Sequence, residues 1–160
     1  SSVKDMGESS ARSRIFFREL INYCSTVTDS RIDIRNISAA LSFVNNCFRN
    51  EKQEKFKVIC IDSGFHIKSV TDISAGGARF TPVDFRELTK AVLNSGTDIV
   101  ILAHNHPDSP NTPSQEDVTL TREVMRYMRC LGVTVLDHYI TGKNGTISMR
   151  NCGLIHDMEC

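Results

Sequence analysis

The sequence predicts an α/β protein in which a mixed β-sheet is flanked by helices. Short β-branched, apolar stretches alternate with longer stretches whose apolar residues recur at the spacing of one helix face. One short stretch, residues 98–104, is almost continuously apolar, which is typical of a strand buried on both faces of a sheet. Near the end of the chain, Asn144-Gly145 has the chemistry of a hairpin turn, so part of the sheet is antiparallel.

The predicted elements follow the order ααββαβαββ. Two helices come first, near residues 11–25 and 36–49, because their apolar residues fall on one face. A strand pair with Ser63-Gly64 as its turn comes next, and Gly96 ends the helix that follows it. After the second helix the predicted elements are strand 56–62, strand 66–74, helix 82–95, strand 98–104, helix 114–131, strand 133–142 and strand 146–150.

The length indicates one domain, and the charge indicates that it does not bind nucleic acid mainly through an excess of positive charge. A chain of 160 residues, 40% of them hydrophobic, is long enough to bury a core of its own. The formal net charge is zero, which argues against nucleic-acid binding driven by charge, although a local basic patch stays open. No stretch is long and apolar enough to span a membrane, and the polar start of the chain does not resemble a signal peptide.

The six cysteines are scattered and form no CxxC pair. This usage indicates a reduced, cytoplasmic chain rather than a disulfide-stabilised one. Cys60 and Cys130 lie in apolar stretches, so we expect both to pack as small hydrophobic side chains.

The stretch "HNHPDSPNTPSQED", residues 104–117, is the candidate functional motif. His104 and His106 end a predicted strand, and residues two apart on a strand point to the same side. Pro107 then turns the chain away, and Asp117 follows in the first turn of the next helix. Two imidazoles and one carboxylate are the ligand count of a catalytic zinc site, which keeps its fourth position for water.

A simpler interpretation of part of this motif stays open. Ser114 and Asp117 also fit a capping box, in which they stabilise the start of a helix without any metal. A His-x-His pair alone is equally weak evidence for a metal site. The complete pattern, across a strand-to-helix junction, is much more specific than either half.

With these residues in place, the motif resembles the JAMM metalloprotease motif of the JAB/MPN superfamily. Its flanks, "ILAHNHP", "TPSQEDVTLT" and "LGVTVLDHYITG", resemble the RadC branch of that superfamily. The resemblance implies a cytidine-deaminase-like α-β-α sandwich. It divides the chain into a disordered end plus helix at residues 1–34, a RadC-like JAB/MPN domain at 35–153 and a C-terminal tail at 154–160.

The resemblance also implies roles for individual residues. His104, His106 and Asp117 would bind Zn²⁺, and Ser114 would stabilise the oxyanion of the scissile carbonyl. Glu54 would be the general base toward the metal-activated water. Glu51 is the near alternative for this role. Without the resemblance, both glutamates would be part of a solvated charge cluster.

By family logic the protein is a zinc-dependent metallopeptidase or isopeptidase that acts on a protein or peptide, including a ubiquitin-like or other tail. The alternatives are a RadC-type role linked to DNA repair or mobile elements, and a non-catalytic zinc-binding JAB scaffold. Residues 1–50 contain no Gly-rich hairpin of the kind that suggests DNA binding, so we expect no direct nucleic-acid contact from this chain. Exposed edges of a small sheet are consistent with a homodimer.

Two further positions carry expectations. Asp108 departs from the family pattern and adds a carboxylate near the metal, where it would compete as a ligand or repel an acidic substrate. His138 matches a recurrent family position on a predicted inner strand. We expect a structural histidine with satisfied hydrogen bonds there, with a role beside the metal or the substrate as the alternative.

Overall fold

The computed structural model describes residues 32–74 and 83–156, and within them three helices and five strands follow the predicted order. The helices are α1 (Ile37–Cys47), α2 (Phe85–Ser95) and α3 (Gln115–Cys130). The strands are β1 (Phe56–Ile61), β2 (Ile67–Asp72), β3 (Ile99–Asn105), β4 (Thr134–Gly142) and β5 (Gly145–Ser148). Each element lies within its predicted bounds or extends one residue beyond them. The helix predicted near residues 11–25 falls outside the described residues.

The five strands form one sheet in the order β2-β1-β3-β4-β5. β3 and β4 run parallel, and the other neighbouring pairs are antiparallel, so the predicted mixed sheet is confirmed. A parallel pair needs a crossover connection, and α3 is the helix in the connection between β3 and β4. The carboxyl end of β3 therefore lies beside that of β4, and the loop into α3 leaves from this end of the sheet.

Side-chain alternation along the strands builds a core on each face of the sheet. Phe56, Val58 and Cys60 of β1 share one core with buried residues of α2 and α3. On the other face, Lys57 places its ammonium group 5.4 Å from the ring centroid of Phe48, which directly follows α1. α1 itself packs against β4 and β5. The architecture is the expected α-β-α sandwich.

The termini of the elements follow local chemistry. Gly96 adopts the left-handed conformation after α2, with φ of 66°, as its predicted role as a helix stop requires.

Cys60 is buried as predicted, but the prediction that Cys130 is buried is wrong. Cys130 lies two residues after the buried Met128, and residues two apart on a helix do not share a face.

A residue near the end of the described part of the chain belongs to the hydrophobic core. Ile155 is 2% exposed and packs with Val118, Ile140 and Met149. Within residues 32–74 and 83–156, no helix combines the length and the apolar character needed to cross a bilayer.

The loop after β3 lies directly against the turn between β4 and β5. A Cβ atom added to Gly142 would stand 2.3 Å from the backbone nitrogen of Asn111 and 2.5 Å from the carbonyl carbon of Pro110. These contacts are with backbone atoms, which cannot rotate away. Gly142 is therefore required because it allows two backbone segments to approach closely.

Hydrogen bonds hold this loop in place. The Asn111 amide nitrogen donates to Asn144 Oδ1 at 2.8 Å, and Asn111 Nδ2 donates to the Gly145 carbonyl at 3.1 Å. The Lys143 amide donates to the Ser109 carbonyl at 3.0 Å. The turn that sequence alone identifies as a hairpin connection thus also anchors the loop that follows His106.

We expect Gly142→Ala to displace this loop and lower the free energy of unfolding by about 1–3 kcal/mol, as for other overpacked sites. Urea unfolding monitored by circular dichroism measures the change. The matched control is Lys143→Ala, which keeps its backbone hydrogen bond and should change stability by no more than about 0.5 kcal/mol. Equal stability of Gly142→Ala and the wild type would contradict the close approach.

Candidate metal centre

His104 and His106 stand at the carboxyl end of β3 and face the same side. The His106 amide donates to the Thr141 carbonyl at 2.7 Å, so ladder-like pairing with β4 continues one residue past β3. The backbone stays extended over both histidines, and alternation then brings the rings together. Their centroids are 4.8 Å apart, with the ring planes perpendicular.

Asp117 reaches the same point from the first turn of α3. Ligand atoms of His104, His106 and Asp117 all lie within 4.8 Å of one another. Asp117 Oδ1 is 3.1 Å from His104 Nδ1, and Asp117 Oδ2 is 3.4 Å from His106 Nε2. Donor atoms around a tetrahedral zinc ion with bonds of about 2.0–2.2 Å lie roughly 3.3–3.6 Å apart. The two His–Asp contacts are close to this spacing, so the three side chains are near enough to hold one small metal ion.

His104 gives an independent test of this fit. The residue is only 8% exposed, and neither ring nitrogen has a hydrogen-bond partner within the described part of the chain. The 3.1 Å contact of Nδ1 with Asp117 does not have hydrogen-bond geometry. Buried polar atoms without partners cost about 1–3 kcal/mol each. A metal ion at Nδ1 would remove one of these costs, so the donor set suits a metal better than an empty polar cluster.

The protonation pattern of His106 also suits a ligand. Its Nδ1 lies 3.1 Å from the Pro110 carbonyl oxygen, which can only accept, so Nδ1 carries the proton. In the neutral ring, Nε2 is then the nitrogen that offers a lone pair to a metal ion, whereas without a metal Asp117 favours a proton on it. Contact with Asp117 raises the pKa of His106 against the opposing effect of burial, and the Pro110 carbonyl and the charge of Glu54 add to the rise.

The capping box and the ligand role of Asp117 coexist. The Ser114 amide donates to Asp117 Oδ2 at 2.7 Å, and the Asp117 amide donates to Ser114 Oγ at 3.0 Å. The capping prediction is confirmed, and the same hydrogen bonds orient the carboxylate toward the histidines. Burial would raise the pKa of Asp117, but contacts with His104, His106 and the Ser114 amide lower it well below its usual range. Asp117 is therefore ionised at neutral pH.

Glu54 lies at the same end of the sheet as the two histidines. Phe56 pairs with His104 across β1 and β3, and their ring centroids are 5.7 Å apart. Glu54 precedes β1 by two residues, and the hydrogen bond from the Asn105 amide to the Lys55 carbonyl shows that the two segments stay adjacent up to this point. The charge of Glu54 contributes to the raised pKa of His106. Glu54 is not part of the three-residue ligand cluster, which suits a group that handles protons rather than one that binds the metal.

Glu51 is directed elsewhere. Its Oε1 lies 3.5 Å from Lys57 Nζ, and Lys57 faces the α1 side of the sheet. The structure therefore favours Glu54 over Glu51 as the carboxylate near the histidines.

Asn105 supports the backbone beside the candidate site in a way that sequence reasoning missed. It points away from the histidines and is 3% exposed. Its Oδ1 accepts from the Lys55 amide at 2.6 Å, and its Nδ2 donates to the Gln53 carbonyl at 3.1 Å. Asn105 thus holds the backbone on both sides of Glu54. Its position between His104 and His106 could have drawn attention to it, but its hydrogen-bond partners cannot be predicted from the sequence.

The expectation for His138 needs correction, and of the two alternatives for Asp108 the structure does not support the one as a competing ligand. His138 is fully buried, and its Nδ1 lies 2.6 Å from Thr121 Oγ1, but its Nε2 has no partner within the described residues. The prediction of satisfied hydrogen bonds is wrong because the ring packs against the rings of Phe56 and His104 rather than against a polar partner for Nε2. Burial lowers the pKa of His138 to about 3. Asp108 is exposed and lies outside the ligand cluster.

Comparisons with known proteins find relatives along most of the chain. The chain is 31% identical over 157 residues to a UPF0758 protein of Clostridium botulinum, covering 97% of this chain and 69% of the relative. It is 34% identical over 125 residues to a UPF0758 protein of Symbiobacterium thermophilum, covering 78% and 53%. A UPF0758 protein of Desulfitobacterium hafniense is 35% identical over 103 residues, covering 64% and 45%.

None of these names specifies a reaction, so function has to be inferred from the site. Residues 34–154 match the family described as the RadC-like JAB domain, and this range includes all the candidate site residues. The chain belongs to the RadC-like JAB domain family, within the JAB/JAMM superfamily.

Proposed function

We propose that this protein is a zinc-dependent metallopeptidase or isopeptidase that hydrolyses a peptide or isopeptide bond. The observation that carries this proposal is the convergence of two imidazoles and one carboxylate, with the charge of a further carboxylate, Glu54, acting on His106. Three protein ligands leave a coordination position open, as catalytic zinc sites do and structural zinc sites do not.

The donor set favours zinc over harder cations. Two imidazole nitrogens and one carboxylate oxygen suit zinc, whereas Mg²⁺ and Ca²⁺ prefer all-oxygen sites. When bound, zinc supplies Lewis acidity and lowers the pKa of a coordinated water toward neutrality. His104, His106 and Asp117 would hold the ion.

Glu54 would move the proton in this reaction. It would accept a proton from the attacking water and give it to the leaving amine, which are the two tasks of a general acid/base. Its charge, which acts on His106, and the Asn105 hydrogen bonds that hold the flanking backbone support this role.

Ser114 would stabilise the developing oxyanion. Its Oγ accepts a hydrogen bond from the Asp117 amide, so the hydroxyl proton is still available for a substrate oxygen. The residue is exposed, which allows a substrate carbonyl to reach it. Helix capping and oxyanion stabilisation use different parts of the hydroxyl, so Ser114 can do both.

An open cleft on the α1 side of the sheet reaches the edge of the centre at His106 and Pro107, where an extended chain could enter. It has a volume of about 290 Å³ and shares His106 and Pro107 with the site. Arg49 and Lys143 lie on its wall. A protein or peptide substrate with an extended, accessible segment fits this surface better than a small metabolite, which usually binds in an enclosed, apolar pocket.

The wild-type protein should bind about one zinc ion per chain after reconstitution, because the described residues offer one three-ligand site. His104→Ala and Asp117→Asn should lose this zinc. Asp117→Asn keeps an oxygen for the Ser114 amide and so tests the ligand more than the helix cap. Metal analysis by mass spectrometry measures the content.

The control for metal content is His66→Ala. His66 lies beyond the end of β1 that pairs with Ile99, far along the sheet from His104, and should leave zinc unchanged. Zinc retained in both site variants would contradict the proposed centre.

Glu54→Gln should keep its zinc and lose about 10²–10⁴-fold in kcat, because the amide cannot accept the proton of water. Hydrolysis of peptide and isopeptide libraries by the zinc-loaded protein measures the effect. Glu51→Gln, the alternative base, should lose far less activity than Glu54→Gln, since Glu51 pairs with Lys57. Glu87→Gln, on α2 and paired with Lys90, is the control that should retain wild-type activity. Zinc binding without any hydrolysis would point to the non-catalytic scaffold.

Ser114→Ala should lose about 10²–10³-fold in kcat through the missing oxyanion donor. It should also lose about 1 kcal/mol of stability through the missing cap. Ser114→Thr keeps a hydroxyl for both tasks and should retain most of the activity and stability. Full activity of Ser114→Ala together with the stability loss would leave Ser114 with a capping role alone.

A further inference from the structure

Two buried histidines lie side by side at the metal centre with unmatched ring nitrogens. The ring centroids of His104 and His138 are 6.4 Å apart, and their planes differ by 21°. Nε2 of each ring is buried and has no hydrogen-bond partner among the described residues. Orphaned atoms on two neighbouring rings in a native core call for an explanation, because buried polar groups are almost always paired.

The hydroxyl of Thr121 fixes which nitrogen of His138 carries the proton. Thr121 Oγ1 lies 2.5 Å from the Asp117 carbonyl oxygen and 2.6 Å from His138 Nδ1. The carbonyl oxygen can only accept, so the single hydroxyl proton points to it. His138 must then donate from Nδ1 to the hydroxyl oxygen. A second proton on Nε2 would create a buried charge without an acceptor, so Nε2 presents a lone pair.

His104 presents the complementary group once it holds a metal ion. Its Nδ1 is the ring nitrogen 3.1 Å from Asp117 Oδ1, which makes Nδ1 the ligand atom. A neutral imidazole that ligates through one nitrogen carries its proton on the other, so Nε2 becomes a buried N–H donor. Metal-bound histidines almost always donate this proton to an acceptor that sets the orientation of the ring.

We infer that His138 is the positioning residue of the metal centre, and that its Nε2 accepts the Nε2 proton of His104. The link forms by closure of the two rings or through one water between them, with the same donor and acceptor in either case. The inference rests on the proposed metal site. It extends that site through Thr121, whose hydroxyl binds the backbone of Asp117, so His104 and Asp117 are held by one continuous network.

A purely structural role explains the observations less well. The ring of Phe56 lies 5.1 Å from that of His138, and an apolar side chain at position 138 would pack there without an orphaned nitrogen. A core filler also gives no reason for the Nδ1 contact with Thr121, which selects the tautomer that the acceptor role needs.

The test is zinc affinity, measured by competition with a chromophoric chelator. His138→Phe should bind zinc about 10–100-fold more weakly than the wild type, the usual effect of removing a partner of a metal-bound histidine. His138→Gln offers a carbonyl oxygen as acceptor and should recover part of this loss. His66→Phe, at the other end of β1, should bind zinc as the wild type does. Unchanged affinity in folded His138→Phe would overturn the inference.

An NMR measurement on the wild-type protein tests the inference without any His138 variant. Long-range ¹H–¹⁵N spectra of the zinc-loaded wild type should show one histidine protonated at Nδ1 alone, assigned to His138. They should also show an exchange-protected Nε2 proton on His104. Thr121→Val preserves the side-chain shape, should disturb the His138 tautomer and should weaken zinc binding. A protonated Nε2 on His138, or wild-type zinc affinity in Thr121→Val, would overturn the inference.

These outcomes separate the inference from the proposed function. If zinc binding depends on His138 but the protein has no hydrolytic activity, the proposed activity is wrong and the inference stands. Hydrolytic activity together with a zinc affinity that does not change in His138→Phe would support the proposed function and overturn the inference.

Discussion

The placement of β3 between β1 and β4 decides which side chains meet at the metal centre. Pairing with β1 sets Phe56 against His104 and brings the segment that carries Glu54 to the end of β3. Parallel pairing with β4 sets Leu102 against His138 and so brings the second buried histidine to the same face. A slip of one residue would turn each of these side chains to the opposite face. The apolar runs of β1 and β3, packed on both faces, hold the register.

The start of α3 is the second fixed element of the site. The capping box holds the carboxylate of Asp117 at the helix terminus, and Thr121 binds the Asp117 carbonyl one turn later. The same residues that begin the helix therefore carry the third candidate ligand. Because the candidate ligands come from different elements, metal binding at this site would be linked to folding. Each tenfold excess of free zinc over its Kd would add about 1.4 kcal/mol to the free energy of unfolding.

Sequence patterns predicted the described elements and the three-residue cluster well, because both depend on local spacing. His104 and His106 are two residues apart on a strand, and Asp117 is in the first turn of a helix. The choice of Glu54 over Glu51 needed the register of β1, which local spacing does not fix. The roles of Asn105 and Gly142 depend on backbone segments distant in sequence. The unpaired nitrogen of His138 depends on what packs around a buried ring.

Zinc K-edge X-ray absorption of the reconstituted protein tests the metal centre most directly. The His104, His106 and Asp117 site predicts four light-atom ligands at about 2.0–2.2 Å, with outer-shell scattering from two imidazoles. Sulfur scattering at about 2.3 Å would show that cysteines hold the ion instead, and the proposed centre would be wrong.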